Sequence, residues 1–149
     1  MIERTFAIIK PNAVRSALVG EILRRYETAR LHIVGAKLLH ASKGKVAGFY
    51  AEHEGRPFFD GLCNFMSSGP ILVLALEGEN AIADVRALNG ATDPAKAAPG
   101  TIRHAFGPSM GANVVHSSDS TESAAREISY WFAPDELFSY VQKTSVADE

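Results

Sequence analysis

The order in which two hydrophobic periods alternate along this chain constrains its fold more than any other feature. Thr5-Phe6-Ala7-Ile8-Ile9 is a short run rich in β-branched and aromatic residues, closed by Lys10-Pro11, and reads as a buried strand. Val19, Ile22, Leu23 and Tyr26 then recur at i, i+3, i+4 and i+7, with Glu21, Arg24, Arg25 and Glu27 on the other side, the pattern of an amphipathic helix. Leu31 to His40 resumes a strand interrupted by Gly35, a residue that marks a bulge or a close backbone approach. Short helices are expected over Lys45–Tyr50 and Phe58–Met66, parted by Glu54-Gly55-Arg56-Pro57. A third strand, Ile71 to Leu76, follows Pro70, and a helix covers Asn80 to Leu88. Residues 90–100, rich in Gly, Ala and Pro, form a loop by composition. Asn113-Val114-Val115 is a minimal fourth strand, and Ser120 to Phe132 a helix that ends before Pro134.

This order predicts an α/β (α+β) fold, a ferredoxin-like sandwich with one four-stranded antiparallel sheet covered by helices on one face. A chain of 149 residues is long enough for one well-filled core, so residues 1–142 are assigned to a single domain and 143–149 to a polar tail. Fifteen Lys and Arg against seventeen Asp and Glu leave a net charge of -2, which supplies no global basic field for nucleic acid or an anionic membrane. The run Ile71 to Leu76 is far shorter than a membrane span, and the amino terminus lacks the basic and apolar segments of a secretion signal. Cys63 is the only cysteine, which precludes an internal disulfide and suits a reducing compartment. It reads as a small buried apolar residue. The expected location is the cytoplasm.

Chemistry concentrates in Asn113-Val114-Val115-His116-Ser117-Ser118-Asp119-Ser120, where a histidine stands at a strand end just before a helix. Asp119 with Glu122 fits a capping box, and the free N–H groups of that helix start make the region a plausible anion site. Spacing alone still favours a hydrogen-bonded structural histidine over a reactive one. Glu127 falls at the edge of the helix's apolar face, where it either orients an imidazole or stands in solvent; spacing does not choose. Lys10, Arg56, Arg86 and Arg103 are scattered, and spacing does not decide whether they converge. Neither a Walker A run nor a kinase glycine loop is present, so a phosphoryl-transfer enzyme built on this chain needs its own nucleophile.

Taken together, Thr5-Phe6-Ala7-Ile8-Ile9-Lys10-Pro11-Asn12-Ala13-Val14, Arg56-Pro57-Phe58-Phe59, Ser68-Gly69-Pro70, Pro99-Gly100-Thr101-Ile102-Arg103 and Asn113 to Ser120 make the chain from Arg4 to about Tyr140 resemble the nucleoside diphosphate kinase family. The resemblance implies a ping-pong reaction in which His116 takes the terminal phosphate of a nucleoside triphosphate and passes it to a nucleoside diphosphate. A neutral imidazole nitrogen suits that task, since no base need first remove a proton. By the same resemblance Lys10, Tyr50, Arg86, Thr92, Arg103 and Asn113 are ligand-binding side chains. Lys10 and Asn113 are expected at the sugar and terminal phosphate, and Arg86, Thr92 and Arg103 at the outer phosphates. The resemblance also implies that Phe58 stacks on the base opposite a wall that includes Leu62 and Met110, and that Ser118 and Glu127 hold the histidine.

Mg²⁺ is expected to arrive with the nucleotide phosphates, no protein group binding it directly and Asp119 reaching it through water. The implied partners are nucleoside triphosphates and diphosphates and further copies of this chain, as a tetramer or hexamer, with no nucleic acid required and no membrane. The rival reading is a nucleic-acid-binding or regulatory module with an idle site; the negative net charge and the full set of site side chains count against it. The chain departs from the common family pattern at Ser117, where glycine usually follows the histidine, and at Asn12-Ala13, Asp93 and Ala105. Ser117 is expected to keep a negative φ and to point away from the phosphate.

Overall fold

Strand β1 (Glu3–Ile9) has no solvent contact from Thr5 to Ile9, so both of its faces are covered, and the rest of the molecule is arranged around it. The computed structural model describes residues 2–141; the tail assigned to 143–149 lies outside the described residues. Helices α1 (Pro11–Arg15) and α2 (Val19–Thr28) follow β1 and lead to β2 (His32–Leu39). Then come α3 (Lys43–Phe49), α4 (Phe59–Met66), β3 (Ile71–Gly78), α5 (Ala81–Asn89), α6 (Ile102–Phe106), β4 (Val115–Ser117) and α7 (Thr121–Trp131). The strands pair in the order β2-β3-β1-β4, each neighbour antiparallel. This is the predicted ferredoxin-like sheet.

The expectation of helices on one face is corrected by the alternation along β1. Phe6 and Ile8 pack with Val46 and Phe49 of α3, Cys63 and Met66 of α4, and Ile128 and Trp131 of α7. Ala7 and Ile9 pack with Ala13 of α1, Ile22 and Tyr26 of α2, Val85 of α5 and Ile102 of α6. Successive side chains of a strand point to opposite faces, so a strand apolar at consecutive positions, as β1 is from Phe6 to Ile9, is buried on both sides. α1 and α6 were not anticipated because five residues are too few to display a helical period. Pro11, whose fixed φ suits the first helical position, was the available signal for α1.

Gly35 behaves as expected. The register of β2 on β3 shifts between Ile33 and Gly35, and a Cβ at Gly35 would stand 2.8 Å from Leu137 and 3.0 Å from Phe132. The fourth strand is displaced from its predicted position: β4 covers Val115–Ser117 rather than Asn113–Val115, so His116 sits within the strand and not after it. The cap of α7 also differs. Ser120 accepts from Ser123 N–H and Ser123 Oγ accepts from Ser120 N–H, so the box is Ser120/Ser123 and not Asp119/Glu122.

Candidate active site

The displacement of β4 has a local cause at Val114, which holds φ +68°, an uncommon angle for a β-branched residue. Val115 N–H donates to Asn113 O at 2.9 Å, closing a three-residue γ-turn. The chain therefore cannot become extended before Val115. The turn is tied to β1, since Lys10 N–H donates to Val114 O at 2.8 Å. Across it the Lys10 ammonium donates to Asn113 Oδ1 at 2.6 Å, and Asn113 Nδ2 donates to Thr92 O at 2.8 Å. Three segments far apart in sequence are thus joined through one buried amide.

Lys10, Asn113 and Thr92 border a cavity of about 300 Å³ whose wall also includes Arg86, Gly90, Arg103, His116 and Ser117. Its wall carries two arginines, one lysine and no carboxylate, the electrostatics of a site for a multiply charged anion. Arg103 donates from Nη1 to Gly90 O and from Nη2 to Val115 O, each at 2.7 Å, so its guanidinium is fixed before any ligand enters. Burial, then repulsion from Arg103, lowers Lys10 from its usual 10.5 to about 7. Burial also lowers Arg103, with the Arg86 charge adding to the effect. Gly90 closes α5 at φ +88°, and a Cβ there would meet Thr101 Oγ1 at 2.6 Å; its small size and its freedom to combine a positive φ with an extended ψ let its carbonyl reach Arg103.

His116 is held from behind. Its Nε2 lies 2.8 Å from Glu127 Oε1, which also accepts from Ser118 Oγ at 2.8 Å. A carboxylate has only acceptors to offer, so Nε2 carries the proton and the lone pair is on Nδ1. Glu127 is almost fully buried in α7. Edge-on contacts with Phe49 and Tyr50, at 5.5 and 6.0 Å between centroids, fix the ring plane. A second cavity of about 710 Å³ adjoins the first through Lys10, Thr92 and Asn113, and its other walls are Phe58, Gly61, Leu62, Met110 and Gly111. The composite site is anionophilic at one end and apolar at the other.

The family model for nucleoside diphosphate kinase matches residues 3–137. The chain belongs to this family. Among solved structures, the Aquifex aeolicus nucleoside diphosphate kinase is 42% identical, covering 93% of this chain and 100% of its own, with a TM-score of 0.90. A nucleoside diphosphate kinase family protein from Babesia bovis is 44% identical over 94% and 95% of the two chains, at 0.89. The halophilic nucleoside diphosphate kinase of Halobacterium salinarum, solved with CDP, is 43% identical over 95% of each chain, at 0.92. The chain is therefore a nucleoside diphosphate kinase, a transferase that binds nucleotides.

Most site residues expected of a nucleoside diphosphate kinase are brought together. Lys10, Arg86, Thr92, Arg103, Asn113 and His116 border the polar cavity, and Phe58, Leu62 and Met110 the apolar one. Tyr50 borders neither cavity and is buried against Phe49 and the His116 ring. Ser117 keeps the negative φ expected of it, as it is absent from the positive-φ positions, but it borders the cavity rather than turning away. Asp119 is bound by the Ser123 hydroxyl at 2.8 Å, a bond that lowers its pKa. Asp93 caps the turn Pro94–Lys96 by accepting from Ala95 N–H, and Asn12 donates to Ala112 O. Gly90 was not singled out from the sequence, although glycine just past a helix end was a usable signal. Among the described residues no three His, Cys, Asp or Glu side chains gather at metal-binding distance.

Proposed function

We propose that this kinase works by a ping-pong route through a phosphohistidine on His116 Nδ1. The observation that carries the reading is the bond from His116 Nε2 to Glu127, which leaves Nδ1 as the nucleophilic nitrogen of a ring bordering the cationic cavity. The Nδ1 lone pair forms a bond to the terminal phosphorus of the triphosphate, and the electron pair of the breaking P–O bond leaves with the nucleoside diphosphate. Glu127 offsets the positive charge that the ring acquires. In the second half-reaction a terminal oxygen of the acceptor diphosphate attacks phosphorus, and the P–N electron pair returns to Nδ1. Lys10, Arg86 and Arg103 stabilise charge on the phosphate oxygens, which is where most acceleration of such transfers arises.

Phe58, with Leu62 and Met110 opposite, supports stacking on the base, and stacking accepts any base because each has a π-face. Mg²⁺ enters as part of the substrate: the cationic wall fits a metal already held by nucleotide oxygens and not a resident ion, and Asp119 is the acid of the His116 turn available to its water shell. The bound metal neutralises phosphate charge. The working form is proposed as a homo-oligomer, a tetramer or hexamer, in the cytoplasm; the single buried Cys63 is consistent with a reducing compartment.

Incubation with ATP labelled in its terminal phosphate tests the chemistry. The protein is expected to form an acid-labile, alkali-stable phosphoprotein, and His116→Ala to lose both label and exchange while still binding ADP. Labelling of His116→Ala at a histidine would shift the assignment to His32, His40, His53 or His104.

A further inference from the structure

Ser117 stands beside the nucleophile with a hydroxyl that the surrounding protein does not use. The neighbouring serines are committed: Ser118 donates to Glu127, Ser120 to Ser123, and Ser123 to Asp119. Among the described residues Ser117 Oγ makes no such bond, and Ser117 borders the cavity with Lys10, Arg86 and Arg103. The strand alternation tells which side of β4 it occupies. His116 packs with Phe6 and Phe49 on one face, whereas Val115 belongs to the cluster on the other, and Ser117 shares the Val115 side. That is the side covered by α5 and α6, the helices bearing Arg86 and Arg103. Ser117 thus faces the cationic wall, not the aromatic one.

Lys and Arg side chains carry donors and no acceptor, whereas a hydroxyl has one rotatable donor. With cations for neighbours, the acceptor that this donor lacks is the anion the cavity is built to hold. We propose that Ser117 is a further catalytic residue, its hydroxyl donating a hydrogen bond to a non-bridging oxygen of the phosphoryl group in transit between nucleotide and His116. The proposal rests on the phosphohistidine reading above. Charge in such transfers lies on the three equatorial oxygens, and a hydrogen bond to a charged acceptor is stronger than one between neutral groups. The strand position, with its ordinary φ, holds the serine without backbone strain.

Single-turnover phosphorylation by labelled ATP, measured for wild type, Ser117→Ala and Ser117→Thr, tests this. Ser117→Ala is expected to slow phosphoenzyme formation about ten- to a hundredfold, the loss of one hydrogen bond to a charged group. ADP lacks the group in transit, so its affinity is expected to be unchanged, as is the melting temperature, and Ser117→Thr is expected to recover most of the rate. An alanine variant as fast as wild type overturns the proposal. So does a parallel loss of ADP affinity, or a threonine variant as slow as alanine, since each assigns Ser117 a structural role. Wild-type protein that takes no label on His116 overturns the phosphohistidine reading itself, and is distinguished by that result.

Discussion

Lys10 donates to Asn113 at 2.6 Å with almost no solvent contact, and burial with the Arg103 charge lowers it to about 7 from 10.5. The unfolded chain therefore binds a proton at Lys10 that the folded chain lacks between those two values. The sign follows from linkage: the burial penalty is absent above about 10.5, grows as pH falls, and is complete below about 7, so this group makes the empty protein more stable with rising pH across that window. A bound polyphosphate reverses the shift by placing negative charge beside the ammonium. ADP binding at about pH 8.5 is expected to take up close to one proton, measured by calorimetry in buffers of different ionisation enthalpy. Binding without proton uptake would mean that Lys10 is already charged in the empty site.

At the scale of elements, the site depends on a short strand between a strained turn and a well-capped helix. The Val114 turn costs roughly 1–3 kcal/mol, and pairing of β4 with β1 from Ile9↔Val115 to Ala7↔Ser117 holds it in place. On the other side, α7 starts at a reciprocal Ser120/Ser123 cap and carries Glu127 to the back of His116. Ser120→Ala is expected to lower stability by about 1 kcal/mol, read as a shifted denaturation midpoint. Phosphoenzyme formation should change by less than about tenfold, because Glu127 lies more than a turn inside the helix and is held by packing. An unchanged midpoint would show that Ser123, through Asp119, caps the helix alone.

For the whole molecule, the apolar alternation of β1 builds two cores, and the site forms where both reach the β1–β4 edge. His116 comes from the aromatic side, with Phe6 and Phe49; Arg86 and Arg103 come from α5 and α6 on the opposite side. Neither layer makes the site alone. Among the described residues no helix is long and apolar enough to cross a membrane. Leu38, Phe138 and Val141 are large apolar side chains left exposed, which accords with further copies covering them. Light scattering is expected to give a mass four or six times the 16.0 kDa of one chain; a single species at the chain mass would refute the oligomer.

Apart from the five-residue helices α1 and α6, the order of the elements, and with it the sheet, was legible in the sequence, because a strand's period of two and a helix's of 3.6 are local properties that side-chain order must satisfy. It also determined the family, since Lys10-Pro11, Arg56-Pro57-Phe58 and the run from Asn113 to Ser120 are specific only as a set. Spacing could not bring Lys10, Arg86 and Arg103 to one cavity, because they are joined by contacts between residues such as Lys10 and Asn113, far apart along the chain. Nor could it start β4 two residues late, since periodicity carries no sign of φ and only tertiary pairing sustains Val114 at +68°. The placements of Tyr50 and Ser117 were hidden from the sequence for the same reason. Which side of a packed element a residue faces is decided by what covers that element, and so the tertiary structure set Tyr50 behind the histidine and Ser117 on the cavity wall.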